Sequence, residues 1–238
     1  MILFGVNFNL YYALLFMRMK NIFKNEELRW YFGFIAVGFT LICINVSPLY
    51  SSVALLLRDV FFTVSSIITT TGYATANFDT WPVFSHVILI FLMFVGGMAG
   101  STAGGIKVSR IAIYIKTTIQ EIRVNVSPNR RLPILFEGKP ISAMLSRQTS
   151  VYLITYAFMF VFFLMITALS SPNFITAFSA VAATFNNIGP GLDMVGPMGN
   201  YSNFNNLTKL TLSLAMIMGR LELFPLLVLF SPRTWRRG

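Results

Sequence analysis

The sequence predicts an all-α membrane protein in which one arrangement occurs twice: a membrane helix, a short helix ending in glycine, and a second membrane helix. Three observations carry this prediction. With 55% hydrophobic and 11% charged residues and a mean hydropathy of +0.70, the chain is too apolar for a soluble domain of its length. Apolar segments alternate with basic or Gly/Pro-rich breaks. Two breaks are alike: Ser65–Ser66–Ile67–Ile68–Thr69–Thr70–Thr71–Gly72–Tyr73 and Ala182–Ala183–Thr184–Phe185–Asn186–Asn187–Ile188–Gly189–Pro190–Gly191 each follow one apolar segment and precede another.

Taken in order, Met1 to Met17 is apolar but short of the roughly 20 residues that a span requires, and reads as the tail of a longer helix. It has no basic leader and no small-residue cleavage pattern, so it does not read as a signal peptide. Trp30 to Ser47 is the first full span, closed by Pro48. Val53 to Thr70 is amphipathic, with Arg58 and Asp59 near its outer end, and Thr71–Gly72 breaks it, so it dips in and returns. Pro82 suits the first turn of the next helix, and Val83 to Val95 is strongly apolar. The run Gly96–Gly97–Met98–Ala99–Gly100–Ser101–Thr102–Ala103–Gly104–Gly105 follows, then a basic amphipathic segment from Ile106 to Arg123. Val124 to Arg147, with three prolines, is a polar linker. Val151 to Leu169 is a span closed by Pro172, Phe174 to Asn186 is the second short helix, and Asp193 to Asn206 is an external loop. Leu207 to Phe230 is the last span, ahead of a basic tail.

The net charge of +10 raises nucleic acid as a partner, and its distribution excludes it. Basic residues gather between Arg18 and Arg29, between Lys107 and Arg147, and between Arg233 and Arg237, each group abutting an apolar span. That asymmetry assigns the three groups to the cytoplasm and both glycine turns to the opposite side. Cys43 is the single cysteine and His86 the single histidine. Cys43 reads as a small buried apolar residue, and neither supports a disulfide or a metal cluster. With no nucleophile–base set either, the chain is not read as an enzyme.

Setting Gly72 on Gly189 pairs Phe61 with Phe178, Val64 with Val181, Thr70 with Asn187 and Thr71 with Ile188. Irregular backbone at membrane depth persists only where it is buried in protein or lines a cavity. Carbonyls freed at such turns can replace the water around a dehydrated cation. The short helices, read as pore helices, aim their C-terminal ends inward and carry about half a negative charge there. Hydroxyl or amide oxygens of Thr69–Thr70–Thr71 and Asn186–Asn187 lie beside those carbonyls, and no carboxylate does, which favours a monovalent cation. The candidate cation-binding residues are Thr70, Thr71, Gly72, Tyr73, Asn187, Ile188, Gly189 and Pro190. The plainer alternative is a pair of ordinary helix C-caps.

The stretch Gly96–Gly105 lacks the Gly-Lys-Ser/Thr of a phosphate-binding loop, because Ile106 separates Gly105 from Lys107. Gly96, Gly100 and Gly104 have the spacing of a close helix-packing stripe. Five glycines at about 1 kcal/mol each against Ala favour instead a break in the helix, a movable constriction beneath the two turns. Its candidate gate residues are Gly96, Gly97, Gly100, Ser101, Thr102, Gly104, Gly105 and Lys107. Arg220 follows Gly189 by nearly the separation of Gly104 from Gly72, and an intramembrane Arg is a functional hypothesis by default. It is expected to face this constriction or the path, with Glu222 as the alternative partner.

Thr69–Thr70–Thr71–Gly72–Tyr73, Gly96 through Lys107, Asn187–Ile188–Gly189–Pro190–Gly191 and Gly219–Arg220–Leu221–Glu222–Leu223–Phe224–Pro225 together resemble the C-terminal half of the Trk/Ktr family of potassium transport proteins, its TrkH branch more than its KtrB branch. The resemblance covers essentially the whole chain. It implies four membrane–pore-loop–membrane repeats about one potassium path, as in potassium channels, of which two are present here. It implies that Gly96–Gly105 is an intramembrane gating loop beside Arg220, that potassium is the substrate with no covalently bound cofactor, and that the bacterial inner membrane is the location. Cytosolic nucleotide-binding regulatory subunits of the TrkA/KtrA type are the implied partners. The resulting organisation is 1–29, the end of a preceding repeat with a cytoplasmic connector; 30–123, a pore repeat with the glycine loop; 124–147, a cytoplasmic linker; and 148–238, a second pore repeat with a basic tail.

Two repeats cannot close a fourfold ring, so this reading expects a truncated or split product that works with its missing N-terminal half or a second copy. An inactive fragment, a non-transporting membrane partner and a homodimeric cation channel are the competing functions. The residues are equally compatible with passive movement and with a symporter coupled to protons, sodium or chloride.

Overall fold

A computed structural model describes residues 1–16, 24–127, 133–221 and 223–229. A single turn over Ile2–Gly5 leads into α1 (Phe8–Leu15). The opening stretch is therefore not one helix over its described part: Asn7 turns the chain, its Oδ1 accepting from the Asn9 N–H at 2.8 Å. Helix α2 (Glu26–Val46) starts on Asn25, whose Oδ1 accepts from Leu28 N–H at 2.8 Å. Glu26 and Glu27 suit the positive end of its first turn, and the Ser47–Leu49 turn containing Pro48 ends it.

The short helix α3 (Val53–Ile68) buries its inner half, from Val60 through Ile68, almost continuously. Helix α4 (Val83–Val95) returns and stops at Gly96, and residues 96–107 are not helical, so the glycine-rich run is a break rather than a packing stripe. Helix α5 (Val108–Val126) continues beyond it.

The segment expected to be a polar linker has structure of its own. Strands β1 (Leu135–Phe136) and β2 (Lys139–Pro140) pair antiparallel, Leu135 opposite Pro140. Glu137 and Gly138 have φ of 54° and 74°, the two left-handed residues a tight hairpin turn needs. Ser142 then caps α6 (Ala143–Ala168), accepting from Leu145 N–H at 3.2 Å, so this span begins before the expected Val151.

Asn173 caps the second short helix, α7 (Phe174–Phe185), accepting from Thr176 N–H at 2.8 Å. The last expected span, Leu207–Phe230, is bent over its described residues. It comprises α8 (Asn206–Leu221) and α9 (Leu223–Leu229), whose axes differ by 115°. Pro225 explains the bend, because it has no N–H to give the Leu221 carbonyl and its ring crowds that carbonyl. Glu222 lies outside the described residues, as does the Arg233–Arg237 group.

Glu26–Leu49 and Ala143–Ala168 are each long and apolar enough to cross a membrane, with a third span if α8 and α9 count as one. Only 22% and 28% of their apolar windows are buried, so the rest of that surface suits lipid or further helices. In the first repeat α2 packs on α3 and α4; in the second α7 sits between α6 and α8. The repeats join where Phe94, near the end of α4, enters an aromatic cluster of α6 and α7. Its ring lies 5.2 Å from Phe160 and 6.2 to 6.3 Å from Tyr156 and Phe178.

Candidate cation path and its loop

Both short helices end in the same hydrogen-bonded turn, residue for residue under the Gly72–Gly189 pairing. Thr69 and Asn186 donate N–H to the Ser65 and Ala182 carbonyls, each at 3.2 Å. Thr70 and Asn187 donate to Ile67 and Thr184 at 3.0 Å, with φ of 52° and 59°. Thr71 and Ile188 donate to Ser66 and Ala183 at 2.9 and 2.8 Å, and Gly72 and Gly189 reach the same acceptors at 3.4 Å. Thr70 and Asn187 are non-glycine residues held in the left-handed region, a costly conformation that only its surroundings sustain.

The two turns meet. A Cβ on Gly72 would overlap the Ile188 carbonyl oxygen and stand 3.1 Å from the Pro190 ring. Gly72 has φ +79°, so both the turn and this approach require glycine. Gly189 has φ +113° with nothing within 4 Å of a Cβ, so only its conformation demands glycine. The partial negative ends of α3 and α7 thus converge on one place. Thr71, Tyr73 and Gly189 are exposed there, and Ile188 is buried.

The threonine hydroxyls and asparagine amides expected to lie beside the carbonyls have protein partners of their own. Thr69 Oγ1 donates to the Ser65 carbonyl at 2.6 Å and lies 2.8 Å from Thr71 Oγ1. Thr70 Oγ1 accepts from Gly104 N–H at 2.7 Å. Asn186 is fully buried, its Oδ1 accepting from Tyr156 OH at 2.8 Å and its Nδ2 donating to Ala182 at 2.8 Å. Asn187 Nδ2 donates to the Met216 carbonyl at 3.1 Å. These polar side chains brace the turns.

The glycine loop lies against both turns. Besides the Gly104–Thr70 bond, a Cβ on Gly104 would overlap the Asn186 carbonyl. The loop closes on itself: Ile106 N–H donates to Phe94 at 3.0 Å and Val108 N–H to Gly97 at 3.0 Å. Gly96 abuts Gly104 and Gly105, Ser101 Oγ donates to Met98 at 2.6 Å, and Lys107 Nζ donates to the Ala103 carbonyl. The N-terminal turn braces it, with Met98 N–H donating to Gly5 at 2.9 Å, Thr102 Oγ1 to Phe4 at 3.2 Å, and Phe8 N–H to Gly100 at 3.2 Å. Arg220 Nη1 donates to the Thr102 carbonyl at 2.7 Å.

Sequence reasoning missed three contributors. Tyr201 OH donates to the Gly189 carbonyl at 2.6 Å; burial pushes its pKa above the ordinary tyrosine value, keeping it a donor. Asp79 Oδ1 accepts from Asp193 N–H at 2.7 Å, tying the external loops of the two repeats. Asp193 in turn accepts from Thr176 Oγ1 at 2.6 Å and Asn173 Nδ2 at 2.7 Å, which hold its carboxyl below the usual range. The third is Glu27, whose Oε1 accepts from Ala99 N–H at 2.7 Å and Ser109 N–H at 3.1 Å. The Asp79 and Glu27 pairings join residues 72 to 114 positions apart in sequence, and no local motif announces any of the three.

Comparison with known proteins places this arrangement. The family model described as "TrkH: Cation transport protein" matches residues 1–237. The chain is 35% identical over 238 residues to the Trk system potassium uptake protein TrkH of Escherichia coli K12, covering 98% of this chain and 48% of that protein. It is 32% identical over 242 residues to TrkG of the same organism, covering 99% and 48%. The crystal structure of the potassium transporter TrkH from Vibrio parahaemolyticus superposes with a TM-score of 0.89 at 31% identity, over 99% of this chain and 51% of that one. The chain thus spans about half the length of the relatives it matches, and those relatives are transporters, not enzymes. The chain is a multi-pass membrane protein and belongs to the TrkH family of cation transport proteins.

Proposed function

We propose that this chain supplies two of the four turns of a potassium-selective path in the bacterial inner membrane, in the manner of a Trk-type uptake protein. The observation that carries the reading is the meeting of two superimposable turns, Gly72 against Ile188, at the C-terminal ends of two short helices. Backbone carbonyls of Thr70–Tyr73 and Asn187–Pro190 would replace potassium's hydration shell. Repeat 30–123 and repeat 148–238 then form one side of the path, and the basic groups mark its cytoplasmic end.

In the same reading, residues 96–107 are the gate. Their contacts with Thr70 and the Asn186 backbone support this, since a segment directly against both turns obstructs whatever passes between them. Arg220 holds the gate through Thr102. Cytosolic nucleotide-binding subunits of the TrkA/KtrA kind would act on the gate through the basic segment 108–147.

The remaining two turns come from an N-terminal pair of repeats or a second copy of this chain. Rubidium uptake into potassium-uptake-deficient cells tests both, with the chain expressed alone and beside the N-terminal half of the Escherichia coli relative. Uptake in at least one arm, lost with Gly72→Ser, is expected. Activity only in the paired arm identifies the complementing half, and activity in the solitary arm identifies the homodimer. No uptake in either arm, with both proteins verified in the membrane, rejects the reading in favour of an inactive fragment.

A further inference from the structure

We infer that Glu27 is the latch that holds the glycine loop across the path, a positioning residue acting through the backbone of Ala99 and Ser109; this rests on reading the loop as a gate. Glu27 lies in the first turn of α2 and is only 4% exposed. A buried carboxylate is costly unless it is well paired, and here its partners are backbone amides of the glycine loop and of the helix that follows. One oxygen, Oε1, accepts from Ala99, inside the loop, and from Ser109, the second residue of α5.

Helix α5 needs such a partner. Its N-cap residue, Lys107, sits at φ 82° and makes no side-chain capping bond, and its first turn holds no acidic residue. The orphan N–H groups and positive end of that helix are met from outside by Glu27. The neighbouring Glu26 pairs with Lys116 on the same helix, so α2 grips α5 at two levels. A single carboxylate oxygen thereby fixes the distance between the loop and the helix it leads into. Any displacement of the loop that separates Ala99 from Ser109 must break a charge-assisted bond.

The test uses purified full chain in lipid nanodiscs and three variants. Glu27→Leu removes the acceptor, Glu27→Gln keeps Oε1 without the charge, and Glu27→Asp shortens the arm by one methylene. Hydrogen exchange read over Ala99 to Ser109 should accelerate about tenfold or more in Glu27→Leu and by a smaller factor in Glu27→Gln, which keeps the acceptor and loses the charge. If Glu27→Leu does not accumulate folded, Glu27→Asp should show faster exchange at Ala99, which it no longer reaches together with Ser109. Unchanged exchange in the folded variants overturns the latch. Rubidium flux from liposomes, with the complementing repeats present where they are needed, is the second readout. Basal flux rising severalfold in Glu27→Leu is expected. Accelerated exchange with unaltered flux overturns the gating role of the loop and leaves the contact itself standing.

Discussion

Gly72 and the Ile188 carbonyl occupy neighbouring positions so close that one added methyl group on Gly72 would overlap the oxygen. Gly189, the counterpart of Gly72 in the second repeat, has open space where its methyl would go. Gly72→Ala therefore carries both the penalty of a positive φ, about 1–3 kcal/mol, and an overpacking cost of about 1–3 kcal/mol. Gly189→Ala carries only the first. Thermal unfolding in detergent should show the larger loss for Gly72→Ala, and rubidium uptake should fall further with it. Equal losses at both positions would contradict the packing asymmetry.

Thr70 ties the first turn to the loop through Gly104 N–H, and Gly104 is buried. Thr70→Val keeps the shape and removes the acceptor, leaving an unsatisfied amide worth about 1–3 kcal/mol. Thr70→Ser keeps the hydroxyl. Val should destabilise the protein and speed exchange at Gly104, and Ser should restore both, as followed by unfolding temperature and hydrogen exchange.

Tyr201→Phe deletes the donor that orients the Gly189 carbonyl at little change in volume. A stability loss of about 0.5–1.5 kcal/mol is expected, together with a severalfold higher apparent KM for potassium uptake at unchanged membrane abundance. A KM equal to wild type would show that this carbonyl is held for structural reasons alone.

Asp193 gives an acid-dependent contribution whose sign is fixed by its donors. Thr176 Oγ1 and Asn173 Nδ2 both favour the carboxylate, so its folded pKa lies below the unfolded value of about 3.9. The stabilisation is fully present above that unfolded value and disappears as pH falls through the depressed one. Asp193→Asn tolerates the φ of 57° and should lower the unfolding temperature at pH 7. The gap to wild type should close below about pH 4.

The repeats and the break after Val95 were legible because they rest on local chemistry: glycine after an apolar helix, proline at a helix edge, basic residues at span ends. Even the pairing of Thr70 with Asn187 could be reached by aligning two glycines. The uses of those side chains could not. Nothing local in the sequence shows that Thr70 also serves Gly104 or that Asn186 serves Tyr156. Glu27 carries no local signal, because its partners stand in a different segment. The kink between α8 and α9 was legible in principle from Pro225.

The bond between Gly104 and Thr70 has one more implication. The hydroxyl oxygen that holds the glycine loop belongs to a residue whose own backbone forms the first turn, so a displacement of the loop cannot leave that turn untouched. Under the proposed function throughput and ion choice are then mechanically linked, and a variant selected for faster passage through this segment should carry an altered discrimination between potassium and sodium as a by-product.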